Sequence, residues 1–290
     1  NNGDIRFVTE DTLDNSGTFY RTSKDKYAPE QGDIGYIVNV TNLKTTTQVF
    51  YTAISADDSS DILYSLENSD EPSFTINQNG EVSTTTVING GFYSFTVVGT
   101  NASDATTREQ VFLIVDYRDL DIKGISLSDI IDDVPDDVPD GVYTLSNHYT
   151  VKATERLKVD SDEILIIPDS ITLTNLGTLS NEGRIEINGN GIIDSSGKGI
   201  ILNIGPIQIK NTGKLMNTGS ATIENRGPIL IENTGTIENN GLFFNDGIIQ
   251  FDANTTFVNE GKIANNNGDI RFVTEDTLDN SGTFYRTSKD

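Results

Sequence analysis

The chain has 290 residues, with 44 Asp and Glu against 20 Lys and Arg, a formal net charge of −24, one His, and no Cys or Trp. A surface this acidic repels phosphate backbones and argues against a nucleic-acid partner, and the lack of Cys excludes a disulfide framework or a thiolate metal site. No apolar run approaches the roughly 18 residues of a membrane span, so no membrane insertion is expected in this segment.

The chain opens with NNGDIRFVTEDTLDNSGTFYRTSKD, and the same 25 residues return without change at Asn266–Asp290, an offset of 265. No signal peptide precedes them, and a chain that begins inside a repeat is expected to lack its natural start. Residues 26–119 show short alternating runs: IGYIVNV, TQVFYTAIS, DILYSL, SFTI, FYSFTVVGT and EQVFLIVD. Their spacing of about 8–15 residues, with turn text such as NQNG between them, predicts an antiparallel sandwich of seven strands.

Residues 120–141, LDIKGISLSDIIDDVPDDVPDG, read as an acidic junction. Asp132, Asp133, Asp136, Asp137 and Asp140 lie within nine residues, and clustered carboxylates supply the six to eight oxygens that Ca²⁺ takes. The competing and favoured reading is an extended linker stiffened by Pro135 and Pro139.

From residue 142 onward the text is periodic. Ile185, Ile207 and Ile229 are 22 apart, as are Ile187, Ile209 and Ile231; Leu179, Ile201 and Ile223; and Ile193, Leu215 and Ile237. The period then shortens to 20 and 21, through Phe243, Ile263 and Phe284, and through Ile249 and Ile270. Stepping back by 20, Ile185 and Ile187 reach Leu165 and Ile167, and Leu179 reaches Val159. Asn-x-Gly recurs within each period, as at 203–205, 211–213 and 217–219. Three short strands and three corners per period predict a three-sided parallel β-solenoid of about seven coils over residues 142–290. Gly is expected at the corners for its access to positive φ, and Asn for the same region and for stacking up a ladder. The alternative, a sandwich of short strands, predicts hairpin signals and no constant register. The fold class is thus all-β: a sandwich plus a solenoid.

The opening 25 residues then read as the last coil of a preceding repeat. Ile5, Phe7, Leu13 and Phe19 occupy the inward columns of a coil with none beneath it, expected to be ordered only by a neighbouring repeat or by the sandwich that follows.

Within residues 26–119 the order Tyr-Ser-Leu, Phe-x-Ile, Asn-Gly-x-Val-x-Thr, Tyr-x-Phe-Thr-Val and Val-x-Leu-x-Val-Asp resembles cadherin-like repeats, over about a third of the chain. The resemblance implies Ca²⁺ at domain junctions through acidic motifs. Most are degraded here: Val87-Ile88-Asn89-Gly90-Gly91 and Gly99-Thr100-Asn101 stand where acidic segments would. Asp116 and Asp119 are carried over as Ca²⁺ ligands, beside Asp132, Asp133, Asp136 and Asp137 of the junction. The run LIIPDSITLTNLGTLSNEGRI is similar to the entry of Asn/Gly-rich β-helices in bacterial surface proteins.

Many β-helices act on polysaccharides, and such sites need acids clustered across neighbouring coils. One outward column here reads Thr174, Asp194, Met216, Glu238, Val258, Asp279, so its acids lie two coils apart, about 9–10 Å at the usual strand spacing. The other reads Glu186, Gln208, Leu230, Gln250, Arg271. Neither makes a convincing carboxylate pair, and His148 reads as a cap. The expectation is no enzyme and no cofactor beyond structural Ca²⁺. The chain is read as a repeat unit of an extracellular, cell-surface filament or adhesin stalk, with neighbouring repeats or copies of itself end to end as partners, together with surface glycans or other cells. The rival readings are a polysaccharide-active enzyme and a carbohydrate- or partner-binding adhesin module.

Overall fold

Short runs in which every second residue is apolar become strands, because a period of two puts those side chains on one face. The computed structural model describes residues 5–7, 12–15, 18–23, 35–40, 48–53, 62–86, 88, 91–101, 106–115, 123–131, 139–252, 254–265, 268–272 and 277–288. Among these the one helical piece is a single 3-10 turn, Leu127–Asp129. The chain forms two units: Asn1–Phe19 with Ile122–Arg286, and Tyr20–Asp121 with Thr287–Asp290.

The second unit holds two sheets. One orders Gly35–Val40, Thr106–Val115, Gly91–Thr100 and Leu63–Glu67; the other orders Val49–Thr52, Glu81–Thr84 and Phe74–Ile76. Every pairing is antiparallel except Gly35–Val40 with Thr106–Val115. Six strands coincide with the six apolar runs, and the seventh, Glu81–Thr84, follows the NQNG turn at Gly80, whose φ is +75°. The two sheets share one core of Phe50, Phe74, Val82, Phe95, Val111 and Leu113. Phe95 meets Phe50 and Phe74 edge-on at centroid distances of 6.1 and 5.5 Å, the offset geometry that ring quadrupoles favour. Burial, with the nearby Glu71 carboxylate, pushes the Tyr93 phenol up to about 12.

The other unit is a parallel solenoid. Among the described residues its three ladders contain eight, eight and nine strands; from Lys123 onward each pairs with the one three positions on in the chain, and the last three pair with the first three. The predicted columns hold register: Leu165, Ile185, Ile207, Ile229, Ile249 and Ile270 lie opposite one another in turn, as do Leu179, Ile201, Ile223, Phe243, Ile263 and Phe284. All of these side chains are buried, forming one continuous core. One step differs from expectation. Leu179 pairs with Leu157, not Val159, because the strand Glu155–Val159 lies one full 22-residue period below and places Val159 opposite Asn181. Late in the array Phe replaces Ile, and Phe251 stacks on Phe272 at 4.6 Å.

The corner glycines serve two purposes, only one of which composition implies. Gly205, Gly227 and Gly247 do not adopt positive φ. A Cβ on Gly205 would stand 1.8 Å from the Gly183 carbonyl oxygen, and one on Gly247 would stand 2.2 Å from that of Gly227. They are glycine because the coil below passes too close for any side chain. Left-handed positions are taken by Gly189, Gly197 and Gly219, at φ of 58°, 63° and 66°, as composition implies, and by Asn211, Asn233 and Asn254, at φ between 58° and 65°. Asn tolerates that region because its short amide bonds locally.

The lower end of the solenoid is closed by the 3-10 turn. Leu127 and Ile131 enter the core, and Asp129 Oδ2 accepts from the backbone N–H and the hydroxyl of Ser126 at 2.8 and 2.7 Å. At the upper end the stack is continued by the duplicated text itself. Strand Ile5–Phe7 pairs in parallel with Asp269–Phe272, matching Ile5 to Ile270, Arg6 to Arg271 and Phe7 to Phe272. Thr12–Asn15 pairs with Thr277–Asn280 residue for residue, and Thr18–Ser23 adjoins Thr283–Ser288. The expected unsupported coil therefore has a neighbour: its own copy in the same chain. Because the two texts are identical, each paired strand sets like residue against like, Ile5 on Ile270 and Leu13 on Leu278.

Candidate functional site

Inside the solenoid the Asn residues that end the strands of two ladders form buried columns. In one, the Nδ2 of Asn181 donates to Oδ1 of Asn203, Asn203 to Asn225, Asn225 to Asn245, and Asn245 to Asn265, each at 2.7 Å. In the other, Asn217 donates to Asn239, Asn239 to Asn259, and Asn259 to Asn280, at 2.6, 2.7 and 2.5 Å. The second Nδ2 hydrogen commonly goes to a backbone carbonyl, as from Asn217 to Leu242 O at 2.9 Å. Each amide thus ties one coil to the next and also satisfies a corner carbonyl that the strand ladder misses.

The columns run one way, every Nδ2 pointing toward the C-terminal coils. The first member of each therefore has an acceptor with nothing beneath it, and Asn175 Oδ1 and Asn181 Oδ1 are buried without a partner. Asn217 Oδ1 is also orphaned, in mid-column, because Ser195 stands below it. Asn175 donates to Ser195 Oγ at 3.1 Å, but the shorter side chain does not carry the column onward.

Outside, the columns carry ordinary surface chemistry. The strand pairings place Asp194, Met216 and Glu238 in succession, as read from the sequence. Glu238 is held by Lys214 at 2.7 Å, and Asp194 accepts from Thr218 Oγ1 at 3.2 Å. Glu186 is held by Lys210 at 2.8 Å. On the third ladder the outward positions Phe244 and Ala264 are buried, a departure from alternation that composition does not announce. His148 Nδ1 accepts the Thr172 N–H at 3.0 Å across the first corner. Asp169 accepts the Asn190 N–H at 2.7 Å, which, ahead of smaller effects, holds its carboxyl below the ordinary 3.8. The Asp160 carboxylate, with Glu182 behind it, raises the Lys158 ammonium.

The residues read as Ca²⁺ ligands, Asp116, Asp119, Asp132, Asp133, Asp136 and Asp137, lie outside the described residues. Asp140 is described and exposed, preceding Gly141 at φ +80°. No group of three or more His, Asp or Glu suited to a metal occurs among the described residues. No described helix is long and apolar enough to cross a membrane.

The geometry defines a class of protein: a three-sided parallel β-solenoid with internal Asn columns, carried in one chain with a seven-strand, two-sheet unit. No protein-family model matches the chain, and no curated protein matches it.

Proposed function

We propose that this chain is a structural repeat unit of an extracellular filament or adhesin stalk, built from 265-residue repeats in which solenoid and two-sheet unit alternate. One observation carries the reading: the same 25 residues occur twice, 265 residues apart, and the second copy forms the last coil of a solenoid. A stack of coils transmits load through backbone hydrogen bonds along its axis, and its stability sums over neighbours. That suits length and stiffness. The two-sheet unit, with its resemblance to cadherin-like repeats, fits an extracellular spacer, and the Cys-free, acidic composition fits a soluble surface fibre. Asp116, Asp119, Asp132, Asp133, Asp136 and Asp137 would stiffen the junction between units by holding Ca²⁺.

The test is electron microscopy of a purified chain carrying two 265-residue repeats. Extended particles of uniform contour length, about twice that of one repeat, are expected. Compact particles with no extended axis would defeat the reading.

A further inference from the structure

Asn-Gly is the dipeptide in which a chain most readily attacks itself. Glycine has no Cβ to shield its backbone nitrogen, so that nitrogen can reach the amide carbon of the asparagine before it. Ring closure needs two freedoms: the glycine N–H must give up its proton, and the asparagine amide must swing onto the nitrogen. A hydrogen bond on either group opposes the step.

Four Asn-Gly pairs lie within the described residues, and three are tied. Gly80 N–H donates to Asn77 O at 3.0 Å, Gly191 N–H to Asn188 O at 2.9 Å, and Gly241 N–H to Asn217 O at 3.1 Å. Two of the amides are tied as well: Asn190 Oδ1 accepts the Thr212 hydroxyl at 2.6 Å, and Asn240 Nδ2 donates to Glu260 Oε2 at 3.0 Å. The fourth pair is Asn188-Gly189, half-buried at the corner between strands Arg184–Ile187 and Ile192–Ser195. Among the described residues neither the Gly189 N–H nor the Asn188 side-chain amide has a hydrogen-bond partner. Two identical dipeptides thus sit side by side in one corner, Asn190-Gly191 tied and Asn188-Gly189 free.

We propose that Asn188-Gly189 is a site of spontaneous backbone modification with water as the co-reactant. The Gly189 nitrogen attacks Asn188 Cγ; the N–Cγ bond forms, the Cγ–Nδ2 bond breaks, and the amide leaves as ammonia with the glycine proton. Water then opens the five-membered succinimide. Opening at the main-chain carbonyl routes the backbone through the side chain and gives isoaspartate. The corner changes in two ways. The Asn188 carbonyl, which accepts the Gly191 N–H, leaves the main chain as a carboxylate. That new anion adjoins Gly189, against which Asp169 packs, and Asp169 already holds the Asn190 N–H at 2.7 Å. Like charges repel, and a stack whose stability sums over neighbouring coils is weakened on both sides of a loosened corner. This chemistry is independent of whether the chain forms a filament.

The full chain is held warm in mildly alkaline buffer, sampled over weeks and digested with trypsin. Asn188 and Asn190 share the tryptic peptide 185–198, whose fragment ions report each separately. Acid at Asn188 is expected about tenfold faster than at Asn79, Asn190 or Asn240, each of which must first break a hydrogen bond. In urea Asn188 and Asn190 should react at comparable rates. If Asn190 or Asn240 keeps pace with Asn188 in the folded chain, the proposal is overturned; it is equally overturned if Asn188 stays intact after the urea-treated chain has reacted. Asn188→Gln, which would have to close a less favourable six-membered ring, should remove the fast phase, and a fast phase that survives it overturns the assignment. The isoaspartyl fraction, separated by ion exchange, should melt a few degrees below both the fresh chain and Asn188→Asp. Equal melting of all three would overturn the loosening of the corner.

Discussion

Asn does two separate jobs in each coil. Asn203 and Asn217 end strands and point inward, whereas Asn211 holds a left-handed corner. Buried amides in a column have high stakes, since each satisfied partner becomes an orphan when its neighbour is removed. Asn225→Ala removes the acceptor of Asn203 and the donor of Asn245, so it is expected to destabilise the solenoid by about 2–5 kcal/mol in urea titration. Ser195→Asn restores the missing rung between Asn175 and Asn217 and satisfies the orphaned Asn217 oxygen. It is expected to stabilise by about 1 kcal/mol, read in the same titration; a loss would mean the corner is too tight for the amide. Asp169 supplies the pH prediction. Its carboxyl is held below the ordinary value chiefly by the Asn190 N–H, so its contribution is present above pH 4 or so and is lost as pH falls through the lowered folded value. Asp169→Asn should lower Tm near neutral pH and make no difference in strong acid.

Elements follow from how closely coils approach. The strand spacing fixes the distance between corners, and there the glycine columns stand against backbone carbonyls. Gly227→Ala would put a Cβ 2.3 Å from the Ile204 oxygen and 2.5 Å from that of Gly205. It is expected to cost about 3 kcal/mol or more, whereas Gly124→Ala, with nothing within 4 Å of the new carbon, should be near neutral. Thermal unfolding of the two variants checks the contrast.

Much of this level was legible in the sequence. Inward columns such as Ile185, Ile207 and Ile229 repeat at a fixed step, and a parallel stack turns a fixed step into register. Six of the seven strands of the other unit were legible for the same reason of period two; the seventh, Glu81–Thr84, has only Val82 as an apolar residue and follows the NQNG turn. What was not legible depended on distances. Positive φ and close approach both select glycine, and composition does not separate them. The step from Leu157 to Leu179 was misread because the period changes from 20 to 22 at the neighbouring strands. The burial of Phe244 and Ala264 on an outward face depends on what covers that face, which no periodicity encodes. For the candidate site, the duplicated text was plain, but the pairing of one copy with the other is a contact between distant parts of the chain that no periodicity encodes.

At the scale of the whole molecule, the solenoid has one end capped by Leu127 and Ile131 and, at the other, the strands of the first 25 residues paired on its last coil. Removing residues 1–25 would bare the edges of the coil Asp269–Ser288 and half-expose Ile270, Phe272, Leu278 and Phe284. Open strand edges over an apolar core recruit further strands. The shortened chain is expected to unfold several degrees lower and to bind an apolar dye that the full chain does not, read by scanning calorimetry and fluorescence. Unchanged melting and no dye uptake would mean the coil contributes nothing to closing the core.

The one-way run of the Asn amides has a larger consequence. Backbone dipoles largely cancel in a sheet, but side-chain amides that all donate upward do not. The stack therefore has a carbonyl end, at Asn175 and Asn181, and an amide N–H end, at Asn265 and Asn280, whose donors go to the Gly268 and Gly282 carbonyls. The solenoid thus carries an arrow: its two ends are chemically different, and an inverted coil would set amide N–H against N–H.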